Sequence, residues 1–210
     1  MGDGRRFAAR AVIVATGGVP RKLGLDSEEK FAGRGISYCA TCDGDFFSGK
    51  PIAVIGGGNS ALEEALALTK YASRITIIHE FDQFQAQPWI VSAARENPKM
   101  SFLMEQDILD FEGAEKLEKV VVAHKKTRQK TVVPVDGCFV FIGYVPNSTM
   151  FNGLLATNER GEILADESMV TNVPGVFAAG DVRAKRYRQI TTAVADGTVA
   201  ALSATEFLGR

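Results

Sequence analysis

The sequence predicts an α/β fold organised around a parallel sheet, and three observations carry that expectation. Short unbroken apolar runs, such as Ile52-Ala53-Val54-Ile55 and Ile75-Thr76-Ile77-Ile78, suit strands buried on both faces. Between these two runs lie a glycine-rich turn and a segment with helical apolar spacing. Further on, Asp107 to Ile142 holds three strand-like segments in succession, the pattern of an antiparallel meander.

The elements follow in order. Ala11-Val12-Ile13-Val14-Ala15 ends in Thr16-Gly17-Gly18 and reads as a buried strand followed by a tight turn. Only a short stretch precedes it, so its sheet neighbours are expected from the C-terminal segment or from sequence absent here. Ile52 to Ile55 is the next strand. Asn59 to Tyr71 then reads as a helix, with Ala61, Leu62, Ala65, Leu66 and Leu68 on its apolar face, and Ile75 to Ile78 closes a βαβ unit of right-handed crossover. A shorter helix is predicted from Pro88, which suits a first turn, to Arg95, and a strand from Ser101 to Met104. Ile108 to Phe111, Lys119 to His124 and Thr131 to Val135 form the meander, and the run from Cys138 to Ile142 returns to the buried sheet. Val176 to Ala179 is the last strand, followed by Gly180-Asp181, and Gln189 to Leu208 is a helix rich in small residues.

Composition narrows the function. The chain has 210 residues, is 46% hydrophobic and 23% charged, and carries a formal net charge of −1. That balance gives no electrostatic reason to bind nucleic acid or an anionic membrane, and the basic clusters at 5–10, 125–130 and 183–188 read as solvated turns. No apolar run approaches the roughly 18 residues of a membrane-spanning helix and no signal peptide opens the chain, so a cytoplasmic protein is expected. Three cysteines are too few for a secreted disulfide framework, and Cys138 reads as a small buried hydrophobe.

The other two cysteines carry the chemistry. Cys39 and Cys42 stand in a Cys-x-x-Cys spacing, which lets the sulfurs close a small ring while a nearby dipole or cation holds one as thiolate, the reactive form. Half of a zinc site would need further ligands from Cys138, His79 and His124, none of which has paired-ligand spacing, so no metal is expected. Asp43, beside the second sulfur, is placed to exchange a proton with a departing thiolate. Gly56-Gly57-Gly58-Asn59-Ser60-Ala61 fits G-x-G-x-x-A: Gly56 makes the turn, Gly58 admits a pyrophosphate, and Ala61 permits close helix packing. Asn59 and Ser60 open the helix there. Glu80, just past the next strand, suits hydrogen bonding to an adenosine ribose and would repel a 2′-phosphate.

Taken together, Ala15-Thr16-Gly17, Cys39-Ala40-Thr41-Cys42-Asp43-Gly44, the Gly56 turn, the run from Pro174 to Asp181 and Arg188-Gln189-Ile190 resemble the low-molecular-weight thioredoxin reductases over essentially the whole chain. The resemblance implies a Rossmann-like three-layer nucleotide-binding domain with a β-meander, residues 23–143, inserted into an incomplete FAD-binding domain of similar fold, residues 1–22 and 144–210. It implies that a nicotinamide cofactor reduces FAD, the flavin reduces the disulfide, and the dithiol reduces thioredoxin or a thioredoxin-like protein. Cys42 would face the flavin, Cys39 would attack the partner disulfide, and Asp43 would donate the proton. Thr16, Gly17, Gly180, Asp181 and Arg188 would belong to the flavin side, with Gln189 and Ile190 at a helix start near its ring system. A homodimer is implied as well.

Two departures from the family matter. The family opens with its own glycine turn for the FAD pyrophosphate, and the present sequence begins only at the strand before Thr16, so a catalytically incomplete nucleotide-binding fragment is an alternative expectation. NADPH-using relatives carry His-Arg-Arg after the second nucleotide strand and a further arginine beyond it, where this chain has His79-Glu80-Phe81 and Gln85. NADH is therefore expected over NADPH. Another electron donor or another disulfide partner remains a further alternative.

Overall fold

The computed structural model describes residues 7–209, so the start of the first basic cluster, at Arg5 and Arg6, lies outside the described residues. In chain order the elements are β1 (Val12–Val14), β2 (Gly18–Pro20), α1 (Asp26–Phe31), β3 (Ile36–Ser37), α2 (Ala40–Asp43), β4 (Pro51–Ile55), α3 (Asn59–Leu68) and β5 (Arg74–Ile78). There follow α4 (Pro88–Glu96), β6 (Met100–Leu103), β7 (Gln106–Glu112), β8 (Lys119–His124), β9 (Lys130–Pro134), β10 (Gly137–Val140), β11 (Tyr144–Pro146), β12 (Val176–Ala178) and α5 (Ile190–Phe207). Two compact units result among the described residues, one from 7–19 with 144–209 and one from 20–143.

The continuous unit is built on a five-stranded parallel sheet of order β3-β10-β4-β5-β6. Successive side chains of β4 point to opposite faces, and the apolar run fills both. Ile52 and Val54 pack with Leu62, Ala65 and Leu68 of α3 and Ile90 of α4. Ala53 and Ile55 face the other way, onto Val120 and Val122 of β8 and Val133 of β9. The meander β7-β8-β9 thus forms a third layer opposite the helices, which explains why strands at the sheet centre show no polar alternation.

Local chemistry sets the helix limits. Pro88 occupies the first turn of α4, where a missing amide costs nothing. The predicted helix to Tyr71 stops at Leu68, and the Thr69 hydroxyl donates to the Leu66 carbonyl at 2.6 Å in a tightened last turn. Cys138 lies on β10, between β3 and β4, a fully buried free thiol.

In the discontinuous unit β1 pairs in parallel with β12, and α5 packs on both. Val14, Ile163, Ala178 and Val182 form one small core, and Phe177, Ala179, Ala200 and Ala204 another. The strand expected to be buried is only half so: Val12 and Ile13 are 47% and 41% exposed. The physical reason is that β1 has β12 as its one sheet partner among the described residues. Among those residues no helix is long and apolar enough to cross a membrane.

Candidate functional site

The dithiol sits where β3 ends. Ser37 pairs with Phe139 of β10, which pairs with Val54 of β4, so the loop to Cys39 leaves the sheet at the same carboxyl end as the glycine turn. Two strand spacings, roughly 10 Å, separate β3 from β4. This is the end at which open α/β sheets place their ligands.

Cys39 and Cys42 are joined as a disulfide. Cys39 is the N-cap of α2, and its Sγ accepts the Cys42 amide hydrogen at 3.2 Å. Such an amide favours negative charge on the sulfur it faces. Cys42 is exposed and Cys39 half-buried. Ser37, which the sequence reading passed over, organises the acid beside them: its hydroxyl donates to Asp43 Oδ2 at 2.6 Å and accepts the Cys39 amide hydrogen at 3.1 Å. Its only signal in the sequence is a polar residue in the otherwise apolar stretch before the first cysteine.

A second network lies behind the dithiol. Glu28 is completely buried, and its carboxylate accepts hydrogen bonds from the amides of Leu23 and Gly24 and from the Tyr38 hydroxyl at 3.0 Å. Burial, and then the Glu28 hydrogen bond and charge, push the Tyr38 phenol well above its ordinary value, so it remains a donor. Burial also raises the Cys138 thiol far above the range in which it would ionise. Among the described residues no group of three or more His, Cys, Asp and Glu is placed to hold a metal ion.

The glycine turn has the shape a dinucleotide requires. Gly56 adopts φ 134°, and a Cβ there would lie 2.3 Å from the Phe141 carbonyl oxygen and 3.0 Å from the Ala61 side chain. Ala61 itself is fully buried, so neither position admits a larger residue. A Cβ on Gly58, by contrast, would project into open space, leaving room for a phosphate at the start of α3. No side chain caps that helix start. Asn59 does not cap it either: its Oδ1 accepts the Gln87 amide hydrogen at 2.7 Å, while the Gln85 amide donates to the Gly57 carbonyl at 2.9 Å. Ser60 is exposed at the first turn. The His79 ring packs against Gly57, with Nε2 donating to the Gln83 carbonyl at 3.1 Å, and burial lowers its pKa. Glu80 is exposed and ion-paired to Lys125 at 3.2 Å.

The discontinuous unit holds the remaining predicted residues. Gly17, Gly180 and Asp181 line a cavity of about 210 Å³ with Ala15, Ala179 and Ala193. Thr16 flanks it, its Oγ1 donating to the Asn147 carbonyl at 2.7 Å while the Asn147 side chain donates back to the Thr16 carbonyl at 3.0 Å. The Gly180 amide donates to Asp196 Oδ2 at 3.1 Å, and Lys185 and Arg183 bind the same carboxylate. Asn147 and Asp196 had no signal in the sequence beyond being polar. Arg188 is not among the cavity-lining residues; it pairs with Glu162 and lies over the Tyr144 ring, 4.5 Å from its centroid. Gln189 caps α5 through a reciprocal capping box with Thr192, and Ile190 is 84% exposed.

The small-residue cavity fits part of a flavin nucleotide. Asp181 keeps a buried Oδ1 with no hydrogen-bond partner, Lys185 being 3.8 Å away, as expected of a group that meets a polar ligand. Gly17 and Gly180, at φ 63° and 75°, let a ligand approach the backbone closely.

Residues 1–197 match the pyridine nucleotide-disulphide oxidoreductase family. The chain is 47% identical over 203 residues to a 34.2 kDa protein of a Clostridium pasteurianum rubredoxin operon, covering 97% of this chain and 66% of that protein. It is 43% identical to the thioredoxin reductase of Listeria innocua, covering 97% of this chain and 64% of the relative. The crystal structure of a Streptococcus pyogenes thioredoxin reductase superposes with a TM-score of 0.92 at 39% identity, covering 100% of this chain and 69% of that one. The chain thus spans about two thirds of the length of the relatives it matches.

Proposed function

Since the chain belongs to the pyridine nucleotide-disulphide oxidoreductase family, we propose that it serves a flavin-dependent disulfide reductase that passes electrons from NADH through FAD and the Cys39–Cys42 dithiol to thioredoxin or a thioredoxin-like protein. The observation that carries this reading is a disulfide on the short helix α2, beside a hydrogen-bonded acid, at the same sheet end as the glycine turn. Asp181, Gly17 and Gly180 would hold the flavin, which supplies the electron pair when bound. Gly58, Asn59 and Ser60 would take the dinucleotide phosphates, and Glu80 its adenosine ribose.

The chain's own residues account for the thiol chemistry. Reduction of the 39–42 disulfide takes two electrons and two protons. Cys39, whose sulfur already accepts an amide hydrogen bond, attacks the partner disulfide as thiolate, forming a mixed disulfide and releasing one partner thiolate. Cys42 as thiolate then attacks the Cys39 sulfur, restoring the ring and releasing the second partner thiolate. Asp43, oriented by Ser37, supplies a proton to a departing sulfur.

NADH is favoured because Glu80, just past the second nucleotide strand, would meet the adenosine ribose, and burial lowers the pKa of the neighbouring His79, which disfavours a compensating positive charge. The exposed apolar side chains of β1 and α5, among them Val12 and Leu202, support a homodimer. A cycling dithiol and the absence of a disulfide framework suit the cytoplasm. The test is Cys42→Ser in the flavin-loaded protein: reduction of thioredoxin by NADH is expected to fall to background while NADH still bleaches the flavin. Undiminished thioredoxin turnover would overturn the assignment.

A further inference from the structure

The ribose end of the dinucleotide turn contains a cation brought there from a distant part of the chain. Lys125 belongs to the β8–β9 turn, yet three backbone hydrogen bonds, running through Glu105 and Gln106, link that turn to the loop carrying Glu80. The Gln106 amide donates to the His79 carbonyl at 2.9 Å, the Glu105 amide to the Phe81 carbonyl at 3.1 Å, and the Lys125 amide to the Glu105 carbonyl at 2.7 Å. The Lys125 ammonium consequently sits 3.2 Å from Glu80 Oε2, 3.8 Å from Asp107 and 5.3 Å from the centre of the Phe81 ring.

Its neighbours are differently occupied. Lys126 pairs with Glu105 at 2.6 Å, and Arg128 pairs with Asp107 at 3.0 Å. Both would stay paired if Glu80 lost its charge. Lys125 alone among these three has Glu80 as its nearer acidic partner, and its second acid, Asp107, is already shared with Arg128. The His79 ring, buried and donating to a carbonyl, offers no substitute charge.

We propose that Lys125 is a cofactor-specificity residue: paired to Glu80 it leaves the site selective for an unphosphorylated ribose, and released from that pair it is the cation that receives a ribose 2′-phosphate. This rests on the reading that the Gly56 turn binds a nicotinamide dinucleotide. It differs from a site governed by Glu80 alone, in which neutralising the acid would merely remove a repulsion and Lys125 would be a bystander.

Calorimetric titration with NAD⁺ and NADP⁺ separates the two. Wild type, Glu80→Gln, Lys125→Met and the double variant are compared, with unchanged melting temperatures confirming that each is folded. NADP⁺ is expected to bind Glu80→Gln about tenfold more tightly than wild type, a factor equivalent to about 1.4 kcal/mol. The gain should vanish in the Glu80→Gln/Lys125→Met protein and survive in Glu80→Gln/Lys125→Arg. An equal gain with and without Lys125 would overturn the proposal while leaving the dinucleotide site standing. Failure of wild type to bind either nucleotide would overturn both.

Discussion

At the scale of single residues, the spacing of Cys39 and Cys42 was readable because two sulfurs three positions apart have few chemical uses. Their supports were not. Ser37 and Lys125 act through hydrogen bonds and ion pairs set by backbone placement, and nothing in a serine or lysine taken alone announces such a partner. Ser37→Ala would leave Asp43 without its 2.6 Å donor and the Cys39 amide without its acceptor. A hydrogen bond to a charged group contributes about 1.5 kcal/mol or more, so under the proposed function the oxidation of the dithiol by a disulfide partner such as thioredoxin should slow roughly tenfold. Stopped-flow traces across pH should also show a displaced profile, with Ser37→Thr restoring it. An unaltered rate and profile would remove Ser37 from any positioning role. Cys138 yields a simpler prediction: with burial holding its thiol protonated, iodoacetamide at pH 8 should label two of the three cysteines of the reduced native chain, and the third only after unfolding. Three labels on folded protein would contradict the burial.

Among the elements, legibility followed length and burial. The runs at β4 and β5 announced themselves because both faces of those strands are packed. The short α1, β3 and α2 went unread, since two to six residues hold too little pattern to establish a period. For β1 the apolar run predicts burial, whereas Val12 and Ile13 are exposed, because sequence shows a preference for burial and not whether a neighbour supplies it.

The helix α5 contributes a polar anchor as well as an apolar face. Asp196 is buried, accepts the Gly180 amide hydrogen, and meets Lys185 at 2.8 Å and Arg183 at 3.2 Å. Burial by itself would raise its carboxyl above the ordinary 3.8, but the Lys185 hydrogen bond, the charges of Arg183 and Lys185 and the Gly180 amide outweigh it and hold the group lower. A depressed carboxyl stabilises the fold fully above its unfolded value and loses that contribution as pH falls through the folded one. Asp196→Asn should therefore cost about 2 kcal/mol at neutral pH, because the part-buried Arg183 loses its acidic partner and Lys185 the nearer of its two. Denaturant unfolding of both proteins should show a constant gap down to about pH 5 that narrows below 3.8. A gap that widened in acid would mean that the carboxylate is not the stabilising form.

For the whole molecule, the two units differ in how their cores close. The sheet of residues 20–143 is covered by α3 and α4 on one face and by β7-β8-β9 on the other, and its chain is continuous. The other unit is assembled from two separated segments around a two-stranded pairing, with apolar side chains left in solvent. Exposed apolar area contributes nothing to burial, at about 25 cal/mol per Å² forgone, so the discontinuous unit should be the weaker. Calorimetric unfolding is expected to show two transitions, the upper one reproduced by residues 20–143 expressed alone. Binding at 100 times its dissociation constant stabilises a folded state by about 2.7 kcal/mol, so saturating NAD⁺ should raise that upper transition and leave the lower one in place. One transition that NAD⁺ moves as a whole would instead show that the units fold as a single cooperative body, and the dinucleotide turn could then no longer be credited to the continuous unit on its own.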